Sequence, residues 1–188
     1  SAIGEYAFRD CTILENIENW DGVKTISNYA FYNCTSLDGI LLPNELTTIG
    51  NYAFYNCTSL GEISFPDSVT SIGKSAFERC SKFSKLSLNS NITVINESTF
   101  KDCGELTEVS IGSSITSINK NAFDNCKKLT TVNIAVDSNS NLETIGNYAF
   151  SSCESLKTLN IPNTIKNIGD YAFKDCVEYN GGSDNTFV

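Results

Sequence analysis

One stretch, residues 49–57 (IGNYAFYNC), constrains the fold of this chain more than any other feature, because it recurs eight times with small changes. Its closing cysteine returns every 23 residues, except that Cys153 follows Cys126 after 27. Self-similarity at a fixed period of about 20–50 residues marks a repeat protein, in which each unit packs against its neighbours. The spacing therefore predicts a solenoid built from one short unit.

Apolar residues occupy the same columns in most units, although the segment after Cys11 is irregular. Ile40 and Leu42, six and eight residues after a cysteine, represent an alternation that predicts a short strand with one buried face. Within residues 49–57 the apolar positions i, i+4, i+5 and i+8 predict one or two helical turns, and Gly50 is expected to make a tight backbone turn. Phe stands three residues before each cysteine, at Phe8, Phe31, Phe54, Phe77, Phe100, Phe123, Phe150 and Phe173. These rings are expected to form a continuous buried spine, each contributing about 1.5–3 kcal/mol.

The repeated unit resembles a known family. Its pattern, Leu37-x-x-Ile40-x-Leu42-Pro43-x-x-Leu46-x-x-Ile49-Gly50-x-x-Ala53-Phe54-x-x-Cys57, is similar to the 23-residue BspA-type leucine-rich repeat of surface proteins from host-associated bacteria and some protists. The resemblance implies an α/β repeat fold: a curved, right-handed leucine-rich-repeat solenoid with one short strand and one short helical turn per unit. It places the strands on the concave face and the Ala-Phe turn on the convex side. Residues 1–188 are then expected to be a single domain of about eight units, a fragment of a longer array.

Charge and composition argue against several functions. Thirteen basic and 22 acidic residues give a net charge of −9, which disfavours binding to nucleic acid or directly to a membrane. The chain contains no His, so Ser-His-Asp and Cys-His catalytic arrangements are excluded. Asp137-Ser138-Asn139 opens like a calcium loop, but Leu142 and Tyr148 stand where that motif needs Gly and Glu. We therefore expect no metal, no cofactor and no enzymatic activity.

The eight cysteines allow two interpretations. Adjacent coils are about 4.7–4.9 Å apart, a distance that a disulfide tolerates. Their regular spacing instead favours one structural position repeated as buried, reduced thiols.

Two surfaces are candidates for binding. By alternation, the outward strand positions form a small polar strip that a protein or glycan ligand could contact. The strip consists of Glu62, Ser64, Lys85, Ser87, Glu108, Ser110, Thr131, Asn133, Thr158 and Asn160. An aromatic patch is expected from Tyr29, Tyr32, Tyr52 and Tyr55, with Tyr32 and Tyr55 the more exposed pair.

Three further features are an insertion, a set of sequons and a candidate strand. The insertion at residues 135–141 is expected to form a loop, possible glycosylation sequons begin at Asn33, Asn56, Asn91 and Asn96, and residues 177–182 look like the start of another strand.

Together with the resemblance, these features predict a non-enzymatic, extracellular or cell-surface binding module that mediates protein or glycan interaction in adhesion or host contact. The alternative is a structural spacer or self-associating rod without a specific ligand, in which the ends of the array and the aromatic patch contact other copies.

Overall fold

The computed structural model describes residues 1–134 and 140–176, and in this part every strand is short and every strand pair is parallel. The strands are β1 (Ala2–Ile3), β2 (Thr25–Ile26), β3 (Thr48–Ile49), β4 (Ser71–Ile72), β5 (Lys85–Ser87), β6 (Val94–Ile95), β7 (Glu108–Ile111), β8 (Ser117–Ile118), β9 (Thr131–Ile134), β10 (Thr144–Ile145), β11 (Thr158–Leu159) and β12 (Asn167–Ile168). Three four-stranded sheets result, in the orders β1-β2-β3-β4, β6-β8-β10-β12 and β5-β7-β9-β11. The chain is thus a parallel β-solenoid, and we call the third sheet the long-strand sheet.

The strand predicted after each cysteine forms only in some coils. It is present as β5, β7, β9 and β11, whereas residues 40–42 and 63–65 keep the alternating burial without forming a strand. Pro43 and Pro66 follow directly in those two coils, and proline has no N–H to donate to a ladder. Asn89 and Gly112 occupy the same position after β5 and β7, and Pro162 occupies it in the coil of β11, which is two residues long. The eight two-residue strands that end in the isoleucine column, such as β3, were not predicted.

The predicted helical turn is wrong, because no helix occurs in residues 1–134 or 140–176. The backbone N–H groups of Tyr52, Phe54 and Asn56 donate to carbonyls of the next coil at 2.8–2.9 Å. The N–H groups of the residues between them donate three residues back within the same coil. The segment is therefore a chain of tight turns, in which hydrogen bonds within a coil alternate with bonds to the following coil.

Two columns of left-handed residues produce these turns. In residues 49–57 they are Tyr52, with φ of 55°, and Asn56, with φ of 57°. The same two positions, five and one residues before the cysteine, have positive φ in every coil described. An α-helix requires negative φ throughout, so this backbone cannot be helical.

Gly50 is needed for a different reason from the one predicted. Its φ is not in the left-handed region; instead, a Cβ atom there would lie 2.6 Å from the backbone nitrogen of Asn28 and 2.6 Å from the carbonyl carbon of Ser27. Asn28 also accepts a hydrogen bond from the backbone N–H of Asn51 through its Oδ1 atom, at 2.8 Å. Gly50 therefore allows adjacent coils to approach closely.

The phenylalanine spine is confirmed. Neighbouring rings of the column stack with centroids 5.0–5.7 Å apart and planes within 11° of parallel, from Phe8 to Phe173. Phe77 also meets the edge of Phe65 at 5.6 Å and a tilted Phe83 at 5.9 Å. Between the end coils, the isoleucine and leucine columns bury their side chains around this stack and complete the core.

The cysteines form a thiol ladder rather than disulfides. All eight are free, and Cys34 through Cys153 are buried. From Cys34 onward, each Sγ lies 3.0–3.3 Å from the carbonyl oxygen of the spine Phe in the preceding coil, to which the thiol donates. Burial raises the pKa of Cys34 to about 11 and raises the pKa of Cys80 and Cys103 well above the ordinary value. The cysteine column thus joins each coil to the one before it.

Candidate binding surfaces

The long-strand sheet places the predicted strip on an exposed face. Lys85 pairs in register with Glu108, which pairs with Thr131. Ser87 pairs with Ser110, which pairs with Asn133. Glu62, Ser64 and Asn160 are exposed at equivalent positions of other coils. Thr158 pairs with Thr131 through β11, and only its backbone is described. Ser110 and Thr131 are half-buried, and the role of the strip as a binding site stays a prediction.

Charge is unevenly distributed along the strip. A depression of about 440 Å³ lies over the charged part, lined among others by Glu62, Lys85 and Glu108. The amide of Asn133 donates to Glu108 Oε1 at 2.9 Å, and Ser84 Oγ lies 3.4 Å from Glu62 Oε1. Beyond Glu108 the strip residues are Ser, Thr and Asn, without charge. A ligand lying along the strip would therefore meet a charged region at one end and a neutral region at the other.

The tyrosines also come together, in a tighter arrangement than predicted. Tyr29 and Tyr52 stack with centroids 5.0 Å apart, and Tyr32 and Tyr55 stack at 4.8 Å, with both pairs within 5° of parallel. Tyr6 extends the first stack at 5.1 Å from Tyr29. All four predicted residues are half-buried, so the expected difference in exposure between the two pairs is not seen.

Two arginines, which were not predicted, lie over the outer ring faces of the second tyrosine stack. The guanidinium carbon of Arg9 lies 5.3 Å from the Tyr32 ring centroid, and that of Arg79 lies 5.6 Å from the Tyr55 centroid. Partial burial raises the pKa of Tyr55, although the Arg79 charge acts in the opposite direction. Since these ring faces are covered by other rings or guanidinium groups, the stack presents mainly ring edges and hydroxyl groups to a partner.

The side-chain amides of the four sequons are all engaged in hydrogen bonds. Asn33 donates to Asp10 Oδ1 at 3.0 Å, and Asn56 donates to Asn33 Oδ1 at 2.7 Å. Asn91 and Asn96 donate to backbone carbonyls of the preceding coil, each at 2.7 Å. These four amides therefore serve contacts between coils.

The described residues offer little for catalysis or metal binding. No group of three or more His, Cys, Asp or Glu residues in ranges 1–134 and 140–176 is arranged to hold a metal ion. The calcium-like residues Asp137, Ser138 and Asn139 and the expected strand at 177–182 lie outside these ranges, as does most of the insertion. The same described ranges contain no helix long and apolar enough to cross a membrane.

Comparison with known proteins places this geometry in a family. The family model described as "BspA type Leucine rich repeat region (6 copies)" matches residues 1–130 and 133–180. None of the curated proteins compared with the chain is significantly similar to it.

Solved structures share the fold over most of the chain. The crystal structure of a leucine-rich repeat protein from Bacteroides ovatus is 32% identical, with a TM-score of 0.85 over 93% of this chain and 44% of that one. The leucine-rich repeat protein of T. pallidum is 30% identical, with a TM-score of 0.75 over 83% of this chain and 71% of that one. A leucine rich cell surface protein from Faecalibacterium prausnitzii, 23% identical, shares the fold with a TM-score of 0.64 over 94% of this chain and 74% of that one. This chain thus spans less than half the length of the Bacteroides ovatus protein. The family match covers nearly the whole sequence, and the chain belongs to the BspA-type leucine-rich repeat family.

Proposed function

We propose that this chain is a non-catalytic binding module of a surface or secreted protein, and that it recognises a protein or glycan through the strip. One observation carries the proposal: the buried columns repeat from coil to coil, whereas the exposed strip positions differ, from Glu62 and Lys85 to Thr131 and Asn133. A constant scaffold that displays variable exposed side chains is how solenoid proteins build binding surfaces.

The absence of His from the chain and the burial of most of its thiols support a role without catalysis. Repeats of this family are also typically non-catalytic. The net charge of −9 supports a partner other than nucleic acid or an anionic membrane surface.

A surface location is part of the same proposal. The Faecalibacterium prausnitzii protein that shares the fold is described as a cell surface protein. A leucine-rich solenoid at the cell surface would present its strip to host or neighbouring-cell molecules, which is the adhesive role that the family resemblance implies.

The test is a titration of the purified domain against matrix proteins, mucins and a panel of glycans. We expect saturable binding to at least one of them, weakened about tenfold or more by a Lys85→Glu/Ser87→Arg double variant, because strip contacts would lie at the centre of the interface. The control is Lys128→Glu, which changes an exposed lysine paired with Glu105 at 2.7 Å outside the strip. Absence of binding at high micromolar concentration, or equal weakening by both variants, would refute the proposal.

The tyrosine stacks favour a second candidate, a self-associating rod. They leave half-exposed aromatic edges on adjacent coils, a surface that another copy could cover. Sedimentation velocity would then show a mass that rises with concentration, and a Tyr32→Ser/Tyr55→Ser variant would remain monomeric. A mass independent of concentration would exclude this candidate.

A further inference from the structure

Leu41 is the exception among the outward positions that lie seven residues after a cysteine. Its side chain is 87% exposed, while Ile40 and Leu42 beside it are buried. The equivalent position in the other described coils is polar: Glu18, Ser64, Ser87, Ser110, Asn133 and Asn160. Leu41 is thus a largely exposed apolar residue in an otherwise polar column.

Two hollows meet at Leu41. One has a volume of about 750 Å³ and is lined by Glu15, Glu18, Asp38 and Gly39 among others. The other has a volume of about 410 Å³ and includes Asn44, Ser64 and Pro66 in its lining. Leu41 and Glu62 line both of them. The side chain of Leu41 therefore stands where an extended ligand lying across the two hollows would contact it.

No ion pair between described residues neutralises the charge of the larger hollow, although Lys85 lines the adjacent depression together with Glu62. Its lining includes the carboxylates of Glu15, Glu18, Asp38 and Glu62 and, among described residues, no basic side chain. All four carboxylates are exposed. The ion pairs found between described residues use other carboxylates: Asp10, Glu45, Glu97, Asp102, Asp124, Glu154, Glu105, Glu143 and Asp175. The negative potential of these four groups is therefore available to a ligand.

The chemistry of the face selects among ligand classes. These carboxylates do not converge into a group that could hold one metal ion in the described part of the chain. Neither hollow has an aromatic residue in its described lining, so neither offers a ring face on which a sugar could stack. Four dispersed negative charges around one exposed apolar side chain are complementary to a chain that carries several positive charges and an apolar side chain.

We propose that this face binds a basic, extended protein segment, with carboxylates of the hollow pairing with its Lys or Arg side chains and Leu41 covering one of its apolar side chains. This inference rests on the proposed function and specifies the partner class at the first coils of the array.

Trp20 provides a built-in reporter. It is the single tryptophan of the chain, and its Nε1 donates to the backbone carbonyl of Leu41 at 2.9 Å. A ligand that contacts Leu41 is therefore expected to change the fluorescence of Trp20. Calorimetric titration of the same samples gives the affinity independently.

The probes are synthetic peptides: one alternating Lys and Leu, one of Lys and Gly, and one alternating Glu and Leu. We expect the Lys-Leu peptide to bind with a change in Trp20 emission, the Lys-Gly peptide to bind about tenfold more weakly because it lacks the apolar contact, and the Glu-Leu peptide not to bind. Raising the salt concentration should weaken the Lys-Leu complex, because the pairing charges are exposed.

Two variants isolate the contributions. Leu41→Ser, which copies the residue of the next coils, is expected to weaken the Lys-Leu peptide about tenfold, and Glu18→Gln/Glu62→Gln about threefold with a smaller salt dependence. Their controls are Tyr171→Ser, an exposed aromatic residue of the last described coil, and Glu143→Gln, a carboxylate paired with Lys166. Both controls are expected to bind like the parent protein. Because Leu41 is exposed, its substitution leaves the core intact, which unchanged circular dichroism would verify.

Three outcomes would overturn the inference. Equal binding of the Lys-Leu and Lys-Gly peptides would exclude a role for Leu41. Failure of basic peptides to bind, while a matrix protein, mucin or glycan binds the parent and the Leu41→Ser variant equally, would reject this site and leave the proposed function standing. Failure of every ligand would reject both.

Discussion

Replacing Phe77 by Ala tests whether the phenylalanine spine holds the coils together. Phe77 is completely buried, stacks between Phe54 at 5.2 Å and Phe100 at 5.7 Å, and contacts two further rings. Truncating a buried Phe costs about 3–5 kcal/mol through lost burial and the cavity left behind. Each aromatic pair contributes about 0.5–1.5 kcal/mol beyond area. With four ring partners lost, we expect the upper end of the range, about 4–5 kcal/mol.

The assay is urea unfolding followed by two signals, Trp20 emission and far-ultraviolet circular dichroism. Trp20 meets the edge of the Phe31 ring, with centroids 6.2 Å apart, and so reports the first coils, whereas circular dichroism reports the whole array. If Phe77→Ala interrupts coupling between coils, the two transitions should separate in the variant and coincide in the parent. The matched control is Phe8→Ala, since Phe8 is half-buried with a single stacked neighbour and should cost about 1–2 kcal/mol. A cost below about 1 kcal/mol for Phe77→Ala would show that the stack adds little to stability.

Three further predictions concern the contacts between coils. A Cβ at Gly73 would lie 2.5 Å from the backbone nitrogen of Asn51, so Gly73→Ala should lower the free energy of unfolding by about 1–3 kcal/mol, while Gly39→Ala, with open space around it, should leave the unfolding midpoint unchanged. Burial raises the pKa of Cys103, so the native thiol stays protonated at pH values where the unfolded thiol ionises. The contribution of this thiol to the free energy of unfolding is therefore retained below about pH 8.5 and decreases above it. Between pH 8 and 10 the parent should therefore lose about 2 kcal/mol more than Cys103→Ala in denaturant titrations, and equal losses would contradict the buried-thiol assignment. Timed alkylation with iodoacetamide and mass spectrometry should modify the half-exposed Cys11 and Cys176 well before Cys80, and uniform labelling would disagree with the ladder.

Much of the fold could be predicted because each structural position occurs once in every repeat, so the residue type that it requires can be read from several copies. The Phe and Cys columns and the alternation at Ile40 and Leu42 are visible in the sequence, and these side chains are buried as expected except in the first and last coils, where they are half-buried. Hydrophobic periodicity reports which way a side chain points, and that direction was predicted correctly even at residues 40–42, which form no regular strand.

The turn geometry could not be predicted in the same way. The spacing of apolar residues in 49–57 matches a helix, but periodicity does not report the sign of φ. Asn at position 56 was an available signal, since Asn adopts left-handed φ more readily than most residues. Tyr52 gave the opposite signal, because bulky residues rarely adopt that conformation. In the solenoid, hydrogen bonds to the neighbouring coils hold the backbone there.

The candidate surfaces were predictable to a similar degree. Outward positions follow from alternation, and most residues of the strip are exposed, although its role as a binding site stays a prediction. The guanidinium groups over Tyr32 and Tyr55 were missed because Arg9 and Arg79 belong to neighbouring coils, and so was the hollow at Leu41, whose lining comes from more than one coil. Such features depend on side-chain packing between units rather than on the pattern within one.

The thiol ladder tolerates the insertion of residues between two coils. Most of its bonds join residues 26 positions apart, but the bond from Cys153 to Phe123 spans 30 and keeps a similar length, 3.3 Å. The ladder therefore depends on the order of the coils and not on the number of residues between them. Extra sequence after β9 leaves both neighbouring coils with unchanged partners. A foreign loop could accordingly be inserted in the chain after β9 without redesigning the core.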